Sequence, residues 1–219
     1  MIDLTFRDAT DVARLIAAGE VSAVEALETS LARLNATEPR LNAFVTVLEA
    51  EARRDAQAAD VRRRQREPLG PLHGVPVSVK DLIAVGGAPY TLGSRSMAHN
   101  VAPADAAAIE SLRQAGAVII GKTTTREYGC KAVGDSPLTG STRNPWDLSK
   151  TAGGSSAGAA ASVAAGVTAI AVGTDGGGLS LLDRRSGRFI RFRHDPSDAA
   201  SLGSNTVFAL HVGASGRVW

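Results

Sequence analysis

Three places in the chain carry groups that could do chemistry together. Lys80 closes the strand-like alternation Val75, Val77, Val79 in GPLHGVPVSVKDL. Gly153, Gly154, Ser155 and Ser156 open a run of small residues, and Gly173-Thr174-Asp175-Gly176-Gly177-Gly178 follows the apolar segment Thr168 to Val172. A lysine works as a base only where burial or a cationic neighbour lowers its affinity for protons, because an exposed ammonium stays charged near neutrality. A serine hydroxyl can relay a proton between such a lysine and a second hydroxyl, and glycines let backbone N–H groups converge on a developing oxyanion. These are the parts of a Ser-Ser-Lys acyl-transfer site. Each part alone also has a plainer reading. A lysine after a strand is commonly a surface cation, and GGSS before a helix can be an N-cap or an anion-holding turn.

The elements that must position these groups alternate as in an α/β domain. Val12, Leu15 and Ile16 recur at helical spacing before a stop at Gly19, and Ser22 with Glu25 forms a capping box ahead of Val24, Leu27, Leu31 and Leu34. A short strand is expected over Ala43 to Val47 and an Ala/Arg-rich helix over Glu49 to Arg66. A strand ends near Lys80, a helix spans Asp105 to Gln114, and a short strand from Ala117 to Ile120 leads into Gly121 and Lys122. A long polar loop, Gly134 to Ser155, precedes a small-residue helix over Ser156 to Ala165 and a strand over Thr168 to Val172. Residues 1–66 thus read as a helical N-terminal region. After Gly178 the helical signal ends, and Phe189 to Arg193 and Val207 to Val212 suit antiparallel strands.

Composition narrows the function classes. With 44% apolar and 21% charged residues the chain can build a core, and a net charge of +2 without aromatic-interleaved basic patches asks for no nucleic acid or membrane partner. The basic run Arg62, Arg63, Arg64, Arg66 reads as a solvated helix end. A single cysteine, Cys130, excludes an internal disulfide framework, suits a cytoplasmic protein and is expected to be a small buried or half-buried residue. His73, His99, His194 and His211 show no metal-ligand spacing, so no metal site is expected. No stretch approaches 18 uninterrupted strongly apolar residues, which argues against a membrane span.

The wording around the three places, GPLHGVPVSVKD, STRNPWDLSKTAGGSSAG and AIAVGTDGGG in that order, resembles the amidase signature family, and the resemblance extends over residues 1–178. It implies a partial, mixed and largely parallel sheet with helices on both faces, followed here by a short β-rich tail. It also implies hydrolysis of a carboxamide to acid and ammonia or amine, with a small-molecule amide as substrate and no metal or organic cofactor. Lys80 matches the family's general-base lysine, Ser155 its bridging serine on a cis peptide, and the backbone of Gly176, Gly177 and Gly178 its oxyanion turn. Domains of this family are much longer, so their second half is expected to lie outside this chain.

The match departs at the next residue. The family's nucleophile follows the motif aspartate by four positions in a pattern like D-x-G-G-S-I-R-x-P; counted from Asp175, that position is Leu179. Ser180 comes one place late, which in extended chain reverses the side chain and shifts it by about 3.3 Å. The arginine and proline that follow are replaced by Leu181 and Asp183. The expectation is an inactive amidase scaffold. The alternatives are a non-catalytic remnant that binds a small carboxylate, and a sensory or interaction module.

The last alternative comes from residues 179–219, which are similar to one β-propeller repeat of two-component regulators. Asp183 to Phe189, His194 to Leu202 and Gly216 to Trp219 fill that repeat's slots, and Ala171 and Trp219 stand about 48 residues apart, near one blade. A single blade cannot bury its faces alone, which argues against a sensor. VGTDGGG is wording common to both families, so the chain reads as a join of two sequences at that stretch.

Overall fold

The computed structural model describes residues 2–173, 179–183 and 188–192. Helix α1 (Ala9–Ala18) buries Val12, Leu15 and Ile16 on one stripe and stops at Gly19, whose φ of 74° lies in the left-handed region. Helix α2 (Ala23–Leu41) starts with the expected capping box: Ser22 Oγ accepts from the Glu25 N–H at 3.0 Å, and the Glu25 carboxylate accepts from the Ser22 N–H at 2.8 Å. Strand β1 (Phe44–Val47) and helix α3 (Glu49–Arg64) follow. The narrow apolar face of α3 is Ala52, Ala56 and Ala59, and beside them the buried Asp60 carboxylate accepts from the Ala23 and Val24 N–H groups at 2.8 and 3.2 Å. One helix thus places a negative charge at the N-terminus of another, where the peptide dipoles favour it. Arg62 and Arg64 are exposed as expected of a helix end, whereas Arg63 is half-buried beside Gly19.

Strand β2 (Pro76–Lys80) is buried at all five residues because it lies between two parallel neighbours. After helix α4 (Ala107–Gln114) comes strand β3 (Val118–Thr123). The pairs β4 (Asp135–Ser136) with β5 (Gly140–Ser141) and β6 (Arg143–Asn144) with β7 (Asp147–Thr151) fold the polar loop into two small hairpins. Helix α5 (Ala157–Ala164) leads to strand β8 (Ile170–Val172). The main sheet runs β1-β3-β2-β8, with β2 parallel to both β3 and β8 and only β1 antiparallel, so the mixed, largely parallel α/β arrangement is present. Ser78 Oγ meets Ser162 Oγ at 3.1 Å, which puts α5 over the face that also carries Lys80, two residues on. Val77 and Val79 alternate to the other face and join the apolar core with Val118, Ile119 and Ile120.

Several boundaries differ from those expected. Helix α4 begins at Ala107 instead of Asp105, because the Asp105 carboxylate is taken up by the Gly86 N–H at 2.7 Å and by Arg113 Nε at 2.7 Å. Strand β3 continues through Gly121 and Lys122, since Thr46 pairs with Lys122 and Val47 with Gly121 across β1. Cys130 is exposed, against expectation: it follows the short turn Glu127–Gly129 into a surface loop. Strands β9 (Leu179–Asp183) and β10 (Arg188–Phe192) pair antiparallel, so strand is present one residue earlier than the expected Phe189 to Arg193. The strand expected over Val207 to Val212 lies outside the described residues. Among the described residues no helix is long and apolar enough to cross a membrane, and no group of side chains is arranged to hold a metal ion.

His73 gives the fold a pH dependence. Its ring is buried and bonds through Nε2 to the Ala59 carbonyl at 3.0 Å, so that nitrogen carries the proton; burial is the main force holding its pKa below the ordinary 6.5. The unfolded chain therefore binds the extra proton first, and stability present above about pH 6.5 falls as pH drops through the folded value. The loss of melting temperature between about pH 8 and about pH 5.5 should shrink in His73→Gln.

Candidate active site

Lys80 and the serine loop meet although 75 residues separate them. Lys80 ends the central strand and its side chain is 0% exposed. Its Nζ donates to Ser155 Oγ at 2.6 Å and to Ser156 Oγ at 2.8 Å. The peptide between Gly154 and Ser155 is cis, and Ser155 is 3% exposed. The Ser155 carbonyl is held in turn by Thr125 Oγ1 at 3.2 Å and the Arg126 N–H at 3.3 Å, which ties the loop to the chain just past β3.

Two glycines allow this approach. Gly154 lies against the backbone of Val133, where an added Cβ would stand 2.6 Å from the carbonyl carbon. Gly154→Ala should therefore cost about 1–3 kcal/mol, the usual range for overpacking, read from the shift of a denaturant unfolding curve. Gly173 follows β8 directly, and a Cβ there would stand 2.9 Å from Ser156 Oγ and 3.8 Å from Lys80 Cδ. The glycine-rich segment thus starts beside the lysine and the two serines.

A second lysine is as deeply buried, and no motif in the sequence singles it out. Lys122 Nζ, on β3, lies 2.9 Å from Asp81 Oδ1 and 3.1 Å from the Pro89 carbonyl, with the Tyr90 ring centroid 5.4 Å away. Asp81 Oδ2 also accepts from the Thr91 N–H at 3.1 Å and from the Thr91 hydroxyl. Desolvation lowers the Lys122 pKa, and Asp81 opposes that shift. The pair anchors the residue next to Lys80. A charged residue inside the apolar run Ala117 to Lys122 is the available signal, since a buried charge needs a partner. Ser156, the second hydroxyl on Lys80, stands in the sequence only as part of the loop.

The profile of the amidase family matches residues 25–179. The chain belongs to the amidase family. As an amidase-family chain it is 48% identical over 166 residues to a glutamyl-tRNA(Gln) amidotransferase subunit from Symbiobacterium thermophilum, a match covering 75% of this chain and 34% of the relative. It is 45% identical over 170 residues to indoleacetamide hydrolase of Bradyrhizobium diazoefficiens, covering 78% and 32%. The crystal structure of a bacterial aryl acylamidase of the amidase signature family superposes with a TM-score of 0.76 at 36% identity, covering 80% of this chain and 36% of that one. The amidase-family chain spans about a third of the length of these curated relatives.

Of the residues the sequence put forward, Lys80 and Ser155 are in contact. Gly176, Gly177 and Gly178 lie outside the described residues. Leu179 and Ser180 begin β9, paired in register with Phe192 and Arg191.

Proposed function

We propose that residues 1–178 carry the proton-handling part of a serine amide-hydrolase site, and that this chain does not itself turn over carboxamides. The observation that carries the reading is the contact of a solvent-excluded lysine with two hydroxyls at 2.6 and 2.8 Å. In it Lys80 is the general base, Ser155 the relay and the backbone of Gly176, Gly177 and Gly178 the oxyanion donors. A complete site would attack the carboxamide carbon with a serine oxygen, form an acyl-enzyme, and pass the proton back through Ser155 to the departing amine. Leu179 has no oxygen to form that bond. Relatives named indoleacetamide hydrolase and acylamidase support a small carboxamide as the substrate class from which the site derives. The proposal needs no metal, organic cofactor, nucleic acid or membrane.

The family match ends at residue 179, which supports a boundary there. Residues 179–219 then lie beyond the amidase part and resemble one propeller repeat in sequence, and the antiparallel pairing of β9 with β10 suits that reading. Ammonia release from a panel of simple carboxamides tests the functional reading. Background release supports it, and release that Ser180→Ala abolishes contradicts it.

A further inference from the structure

We infer that Ser156 is itself an acyl acceptor, which with Lys80 as base takes the acyl group of an activated aryl ester. The inference rests on the reading that residue 179 supplies no nucleophile. Ser156 occupies the N-cap position of α5, yet its side chain makes no capping bond. Ser22, at the N-cap of α2, does cap its helix. The Ser156 hydroxyl is turned instead onto Lys80 Nζ, 2.8 Å away. Of the two hydroxyls on that lysine, Ser155 is buried and Ser156 is half-buried, so Ser156 is the one a small molecule reaches more readily. Gly173 packs closely on the other side of Ser156 Oγ, where an added Cβ would stand 2.9 Å away, and so helps to hold the hydroxyl on the lysine. The oxygen also sits at the N-terminal end of a helix, where peptide dipoles favour negative charge.

An aryl ester asks less of the site than a carboxamide does. In the proposed step Lys80 Nζ acts as the base and takes the Ser156 proton, the Ser156 Oγ bond to the acyl carbon forms, and the bond to the aryl oxygen breaks. The phenolate leaves with the electron pair and needs no proton, whereas an amine leaving group does. Water then attacks the acyl carbon, Ser156 Oγ leaves and regains its proton from the Lys80 ammonium, and the proton of the attacking water is released. The net reaction is ester plus water to acid plus phenol. Serine with lysine alone is a known arrangement for acyl transfer.

The test is to incubate the full chain with 4-nitrophenyl acetate, and separately with phenylmethanesulfonyl fluoride, and to locate the adduct by peptide mass spectrometry. The expected adduct is on Ser156. It should be absent from Ser156→Ala and from the chain unfolded in urea, and should form about 100-fold more slowly in Lys80→Met, the usual loss on removing a general base. Circular dichroism checks that both variants fold, and the adduct's location in the unaltered chain decides the question even if Lys80→Met does not. An adduct on Ser155, an adduct confined to exposed lysines, or no adduct overturns the inference while the amide reading stands. An adduct on Ser180 overturns both.

Discussion

Asp81→Ala is expected to lower the free energy of unfolding by about 3–5 kcal/mol, the cost of leaving a buried charge without its partner. Lys122 is 0% exposed and Asp81 1% exposed, so water cannot replace the lost bond without opening the structure. The substitution also removes the acceptor for both Thr91 donors. For a chain of this size that amounts to roughly 6–20 °C in melting temperature. Lys122→Met should also destabilise, though less, because the Asp81 carboxylate loses its cation but still accepts from Thr91. The double variant Asp81→Asn with Lys122→Met keeps an acceptor for Thr91 and buries no net charge, so it should be more stable than the summed losses of Asp81→Asn alone and Lys122→Met alone imply. A double-mutant cycle with strictly additive losses would show that the pair does not act as a unit. Asp81 directly follows Lys80, so the same substitution should also loosen the strand end that carries the lysine.

What the sequence disclosed was mostly local. The stop at Gly19 and the capping box of Ser22 and Glu25 are decided by neighbours three or four residues away, and both are present. The alternation of Val75, Val77 and Val79 marked a strand. It could not say that Ser78 and Lys80 would be buried too, because that depends on β3 and β8 closing both edges. The pairing of Lys122 with Asp81 crosses 41 residues and two strands, and no spacing rule reaches that far. Ser156 was ambiguous for a physical reason. An N-cap serine can turn its hydroxyl to the helix or away from it, and only the passage of β2 beneath the loop decides. The contact of Lys80 with Ser155 was legible through the family resemblance, since neither residue's own surroundings in the chain distinguish a base from a surface cation.

The second large effect concerns turnover. Removing the nucleophilic serine of a serine hydrolase costs on the order of a million-fold in turnover, and on the proposed reading, in which Leu179 holds the nucleophile's place, Lys80 with Ser155 is expected not to make up that loss. A shift of one residue along an extended strand moves a side chain by about 3.3 Å to the opposite face, while attack needs the oxygen within a fraction of that distance. Ser180 is therefore expected not to replace the missing hydroxyl, and Ser156, already bonded to Lys80, is expected to serve only esters that need no leaving-group proton.

The measurement that bears most directly on this account is ammonia release from simple carboxamides by the purified, cooperatively folded chain, beside Ser180→Ala and Lys80→Ala. Release at the no-protein background in all three is the expected result. Release by the natural chain that Ser180→Ala abolishes would contradict it, and would make Ser180 the nucleophile of a working site.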